Sequence, residues 1–301
     1  MKQRAAGRAL GLLLALVCVA ASCQGGQQEP PIRIGAGSTG EQQILAALTA
    51  EVLSRKDIDA EIVPELGDSR DVRDEALAGR VDVYWDYSGA AWALSLGALA
   101  PPVDPLESFE AVAAEEAENG LEWLGPPQID VRLAFFVPAG AVPPDTDPTL
   151  SWLAGALADG SGALCADPEY LAAPSGYAYL ADSYAISAQS VTTSAMVEDA
   201  ALRGIADGTC QTALSTQGSG LARTLGLTAL RDDLGVFPAQ VLSPVLVEGG
   251  RADQPGPRDA LTDLGRLLGE NDLANLNAAV ELGEAPDAVA VAFLDARESD
   301  Q

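Results

Sequence analysis

Short apolar runs alternate, over most of the chain, with stretches whose apolar positions recur every third or fourth residue. Ile32–Ile34 reads as a strand and Glu41–Ser54 as a helix with Ile44, Leu48 and Val52 on one face. Ala60–Val63 is a second strand, Arg70–Ala78 a second helix, and Val81–Tyr84 a third strand. That βαβαβ order predicts a mostly parallel sheet joined by right-handed crossovers. Pro101-Pro102 opens a loop before a helix near Phe109–Glu118; an apolar strand follows at Arg132–Val137, then a proline-rich linker from Pro138 to Asp147. A second alternating set comes next: helix Leu150–Ala158, strand Ala163–Cys165, helices Tyr177–Tyr184 and Met196–Asp207, and strand Cys210–Leu214. Past Phe237-Pro238 the pattern predicts strand Val245–Val247 and helices at Asp259–Leu268, Leu273–Val280 and Pro286–Leu294. The expected architecture is α/β with two lobes, the second inserted in the first. Residues 32–135 and 238–295 form lobe 1, and 136–237 form lobe 2.

The N-terminus changes the compartment. Lys2, Arg4 and Arg8 precede an apolar stretch from Ala9 to Ala21. It is too short to span a bilayer of roughly 30 Å and reads as the apolar core of a signal peptide over residues 1–22. Ala20-Ala21-Ser22-Cys23 resembles a bacterial lipobox, which implies lipidation of Cys23 and a polar tether over 23–31. Cleavage as an ordinary secretory signal is the alternative, and both place the mature chain outside the cytoplasm. The expected location is the outer face of the bacterial cytoplasmic membrane, or the periplasm.

Charge excludes one class of partner. The chain carries 17 Lys and Arg against 44 Asp and Glu, a net −27. Removing 1–22, with its three basic residues and no acids, leaves 14 against 44, or −30. Such a surface repels nucleic acid. There is no histidine, so no Ser-His-Asp or Cys-His machinery can form. Gly35-Ala36-Gly37 with Gly40 mimics a dinucleotide fingerprint after a strand, but nucleotide binding fits an exported chain poorly. No catalytic, metal or cofactor site is expected. With Cys18 in the signal and Cys23 lipidated, Cys165 and Cys210 remain, read as a disulfide in an oxidising compartment or as two buried thiols.

Candidate chemistry is concentrated in Gly79–Ala91. There a short strand delivers Tyr84, Trp85 and Tyr87 to a small-residue turn, the end of a strand at which open α/β sheets bind ligands. Val81-Asp82-Val83-Tyr84 through Gly89 resembles a signature of the substrate-binding proteins of glycine betaine, carnitine and choline ABC importers. Gly35-Ala36-Gly37-Ser38-Thr39-Gly40-Glu41-Gln42 resembles that family's opening strand, turn and helix. Glu75-Ala76-Leu77, Glu122-Trp123-Leu124, Leu230-Arg231-Asp232-Asp233 with Phe237-Pro238, Leu276-Asn277 and Val289-Ala290 with Phe293-Leu294 follow in the family's order. The resemblance implies a type II periplasmic-binding fold, closure on a small solute, a permease with ATPase subunits as partners, and a monomer.

The resemblance implies Gln42 and Ser38 at the first helix and Tyr87 from an aromatic cage as ligand contacts. Position in the chain adds Asp130 and Arg132, flanking the start of the crossover strand as a ligand anchor or a surface pair, and Ser215 and Thr216 after a second-lobe strand, facing the cleft or forming a polar turn. Three other cage positions fall on Leu133, Leu202 and Leu214, and the carboxylate-binding positions on Gly37, Ala173 and Ala90. A solute such as glycine betaine or choline, an apolar or aromatic solute in a leucine-lined cleft, and an extracellular sensor or scaffold role all remain open at this point.

Overall fold

The computed structural model describes residues 29–95, 101–125, 129–158, 162–187 and 189–299. Met1–Pro30 is a separate unit of which only Glu29 and Pro30 are described, and the fold belongs to the second unit, Pro31–Gln301. The signal peptide and Cys23 lie outside the described residues.

The chain opens with β1 (Ile32–Gly35), α1 (Gly40–Ser54), β2 (Ala60–Val63), α2 (Ser69–Leu77), β3 (Val83–Tyr87) and α3 (Ser88–Ser95). Then come α4 (Pro105–Ala117), β4 (Leu121–Trp123) and β5 (Ile129–Asp130). Crossing over, it forms β6 (Leu133–Pro138), α5 (Leu150–Leu157), β7 (Gly162–Ala166), α6 (Pro168–Ala172), α7 (Tyr177–Ser183) and β8 (Val191–Ala195). These are followed by α8 (Glu198–Asp207), β9 (Thr212–Thr216), α9 (Gly220–Thr224) and β10 (Leu227–Ala229). It returns through β11 (Val241–Val247) to α10 (Pro255–Leu267), α11 (Glu270–Glu281) and α12 (Pro286–Ser299).

Helix starts follow local chemistry. Thr39, Asp68, Asp104, Thr149 and Ser219 each accept a backbone N–H from the first turn of the helix they precede, offsetting donors left open there. At the other end of α8, Gly208 takes the left-handed conformation that closes the helix.

The first sheet has the order β2-β1-β3-β11-β4, with β5 also paired to β11. Helices cover both faces. Ile44, Leu45 and Leu48 of α1 pack with Trp85, Leu242, Leu273 and Leu276 on one side. Val72, Tyr84, Phe109, Val112 and Trp123 pack on the other. The second sheet, β10-β6-β9-β7-β8, buries Phe135, Leu153, Leu164 and Leu214 on one face and Ala134, Phe136, Leu202 and Leu221 on the other. Cys165 and Cys210 form a disulfide with Cα atoms 5.9 Å apart. It ties β7 to the loop between α8 and β9, and Gly204 leaves room for the Cys210 sulfur.

The pattern-based reading needs four corrections. The sheets are mixed rather than mostly parallel, because β11 returns antiparallel to β3, β4 and β5, and β6 runs antiparallel to β9 and β10. The third strand is Val83–Tyr87, so the aromatic block is the strand itself. Pleating puts Tyr84 on one face and Trp85 on the other. The returning strand starts at Val241 rather than Val245 and includes Pro244, a residue that donates no ladder hydrogen bond. Leu133–Phe135, expected in lobe 1, pair with β9 in the second sheet, so the crossover lies at Val131-Arg132.

Candidate functional site

Both chain crossings between the sheets are locked together. Val131 N–H donates to the Gln240 carbonyl at 2.9 Å, and Gln240 N–H donates to the Asp130 carboxylate at 2.9 Å. Asp130 also accepts from the Arg132 backbone N–H at 3.0 Å and its Nε at 2.7 Å. The guanidinium reaches on to the Phe237 carbonyl at 3.2 Å and the Val103 carbonyl at 2.8 Å. Asp130 and Arg132 therefore satisfy each other and the crossing strands, and neither lines the cleft beside them.

That cleft, about 590 Å³, lies where the two sheets face each other across the crossings. From the first-sheet side come the start of α1, Tyr87 at the end of β3, Ala90, and Asn277 and Glu281 on α11. The second-sheet side supplies Leu133, Glu198 and Asp199 in the first turn of α8, Thr216 at the end of β9, and the Gly218–Leu221 turn into α9. Gly220 lets α9 lie directly on α11, since an added Cβ would come within 2.4 Å of the Ala278 nitrogen.

Glu41 is the centre of the polar network. Its carboxylate accepts from the Tyr87 hydroxyl at 2.5 Å and from Asn277 Nδ2 at 2.5 Å. The same Nδ2 donates to the Gly218 carbonyl at 2.8 Å, linking α11 to the second lobe. Burial raises the Glu41 carboxyl above its ordinary value; the hydrogen bonds from Tyr87 and Asn277 oppose this, and the Glu198 charge adds to it. Glu281, though an exposed residue, is raised as well, by partial burial in the cleft wall and then by repulsion from Asp199 and Glu198. Burial likewise pushes the Tyr87 phenol well up, reinforced by the Glu41 charge, so it stays a donor. Among the described residues, four carboxylates and no Lys or Arg line the cleft.

Asp86 supports Tyr87 from behind. It is fully buried; Oδ1 accepts the Tyr87 N–H at 2.8 Å, while Oδ2 has no partner of hydrogen-bonding geometry, the Ser69 hydroxyl offering only a weak contact. Burial pushes its carboxyl up to about 7, and the nearby Glu116 charge contributes in the same direction.

Of the residues expected from the sequence, Tyr87 and Thr216 line the cleft. Ser215 is buried behind it and donates to the Glu198 carboxylate. Gln42 is buried against Gly37, where an added Cβ would lie 1.6 Å from Oε1, so its side chain packs under the turn instead of entering the cleft. Ser38 is exposed, and its N–H donates to the Gly67 carbonyl at 3.0 Å. Leu133 lines the cleft, but Leu202 and Leu214 are core residues on opposite faces of the second sheet. Glu41 and Asn277, which sequence reasoning passed over, each sit inside a motif that resembles the family's, one residue from Gln42 and Leu276. Glu198, Asp199 and Glu281 carry no local signal in a chain with 44 acids.

The chain is similar to known proteins over nearly all of its folded length. A glycine-betaine-binding protein of Pseudomonas aeruginosa is 25% identical over 289 residues, covering 93% of this chain and 92% of the relative. The crystal structure of a glycine betaine/carnitine/choline ABC transporter protein superposes with a TM-score of 0.82 at 21% identity, over 89% of this chain and 98% of that one. Apo YehZ from Escherichia coli does so with a TM-score of 0.80, also at 21% identity and with the same coverage. These two likenesses concern the fold, the two-lobed form of periplasmic binding proteins. Residues 30–296 match the family model described as the substrate-binding domain of ABC-type glycine betaine transport systems, and the chain belongs to that family.

Proposed function

We propose that this chain is an exported solute-binding lipoprotein, held at the membrane through Cys23, that captures a small positively charged amine between its lobes. It then delivers the solute to an ABC permease and its ATPase subunits. Substrate-binding proteins of such importers work outside the cytoplasmic membrane, and no helix of the described residues is long and apolar enough to cross one. The lobes are assigned as residues 32–130 with 241–299, and 133–229, following their sheets. The reading involves no covalent step: solute shifts an equilibrium between open and closed forms by binding the closed one better.

The observation that carries the ligand assignment is the cleft lining, with Tyr87 and four carboxylates and no basic side chain among the described residues. In this setting a cation gains both an aromatic face and nearby negative charge. An apolar solute is disfavoured, because Leu202 and Leu214, which would have made the wall leucine-rich, are buried in the lobe core. Thermal-shift and calorimetric titration of the mature, unlipidated chain with glycine betaine, choline, carnitine, simple amines and a set of phenolics tests the reading. The expected result is a shift with a cationic amine that Tyr87→Ala removes. Binding of phenolics with no response to any amine refutes it.

A further inference from the structure

We infer that the solute of this cleft carries its positive charge on a nitrogen that bears N–H groups, an ammonium or guanidinium, and has no carboxylate. The inference rests on the reading of the cleft as the solute site and narrows what that site accepts.

A quaternary ammonium offers no hydrogen atom to donate, so a site for it needs several aromatic faces. Among the described residues the lining supplies one ring, Tyr87, whose hydroxyl is already committed to Glu41. What the cleft offers instead is acceptors. Glu41, Glu198, Asp199 and Glu281 bring carboxylates from three helices that meet at the opening. Asn277 adds an independent one. The residue is only 6% exposed, and its Oδ1 has no hydrogen-bond partner. Its orientation is fixed by the other end of the amide: Nδ2 donates to both the Glu41 carboxylate and the Gly218 carbonyl. Turning the amide over would set its oxygen against those two acceptors. A buried acceptor without a donor is unfavourable; Asn277 belongs to the cleft wall, and the group that would complete its Oδ1 is a solute N–H and not an N-methyl group.

A carboxylate on the solute meets the opposite problem. No Lys or Arg among the described lining residues receives it, and the N-terminal end of α1, a natural anion site, already holds Glu41 in its own first turn. Glu41 and Glu281 are both crowded by neighbouring carboxylates, an unfavourable arrangement that a cation relieves and a second anion worsens.

A matched pair of ligands tests this directly. Choline and N,N-dimethylethanolamine share a skeleton and are both cations at neutral pH; they differ by one N-methyl against one N–H. Isothermal titration of the mature wild-type chain is expected to show dimethylethanolamine binding at least tenfold more tightly than choline, the range of a charge-assisted hydrogen bond. Ethanolamine should bind at least as well as dimethylethanolamine, and glycine betaine more weakly than choline. Glu281→Gln, at an exposed position, should weaken all the cations while leaving the fold intact, and Glu41→Gln should shrink the N–H preference. Choline binding as tightly as dimethylethanolamine, or glycine betaine binding more tightly than choline, overturns this inference and leaves the cleft as an amine site. Failure of every amine to bind overturns the site assignment and this inference with it.

Discussion

Replacing Asp86 by Asn should flatten the pH dependence of stability. In the fold Asp86 titrates at about 7 against an ordinary value of 3.8, because it is wholly enclosed and its Oδ2 lacks a good partner. Between those values the folded protein holds a proton that the unfolded chain has released, so the contribution to stability falls as pH rises and levels off above about 7. At about 1.4 kcal/mol per pH unit, the ionised folded form is disfavoured by about 4 kcal/mol, of which roughly 3 kcal/mol develops between pH 5 and pH 8. The amide cannot ionise, and its oxygen can keep the Tyr87 N–H. Urea unfolding of both proteins, followed through the four tryptophans, gives two stability curves. Glu41 and Glu281, also raised by burial, contribute slopes of the same sign to both proteins, so the difference isolates Asp86. The variant should gain on the wild type steadily up to pH 7 and hold a constant margin above it. Parallel curves would show that the enclosed carboxyl is not held protonated, and would refute the argument.

Four more outcomes rest on the same contacts. Because Glu41 and Glu281 are raised, affinity for a cationic amine should increase with pH through the carboxylate range and fall with added salt; titration calorimetry showing neither dependence removes the carboxylates from recognition. Tyr87→Phe keeps the ring but takes a donor from Glu41, so affinity should drop about fivefold near pH 6 and recover at higher pH, a split that simple loss of packing would not produce. Substituting both Cys165 and Cys210 by Ser opens a loop closed across 45 positions and should lower stability by about 4 kcal/mol; an unchanged unfolding midpoint would refute the structural role. Arg132→Ala removes the partner of Asp130 and two carbonyl contacts between segments, and should lower stability by up to about 3 kcal/mol, read in the same unfolding assay.

The alternation of apolar runs and helical spacing carried the element order, since each element buries its own apolar set whatever its neighbours do. Strand direction was less legible: a pattern in Val241–Val247 states that a strand is buried, but its antiparallel pairing follows from the chain re-entering the first lobe from the second. Short elements such as Val191–Ala195 have partly exposed, polar faces, and an edge position in the second sheet gives them no periodic signal. The site was half visible. Tyr87 was found because an aromatic side chain at a strand end is conspicuous. Gln42 matches a glutamine that contacts ligand in the family, but neighbouring residues on a helix point about 100° apart, and only the position of α1 against α11 decides that Glu41 is the one facing the opening. Leu202 was placed by alignment at a cage position, yet its helix turns Glu198 and Asp199 toward the cleft and Leu202 inward.

The clasp of Asp130 and Arg132 makes the two crossing strands a single ribbon. Two independent threads would let one lobe slide, twist and tip against the other. Bolted to each other, and through Arg132 to the segment at Val103, they favour bending about one line. On the proposed reading, solute entry and solute release retrace a common arc. A permease reading the spacing of the two lobe tips is thus offered a ruler with few settings, so the signal that a solute is aboard can be geometric even when the solute itself is hidden from view.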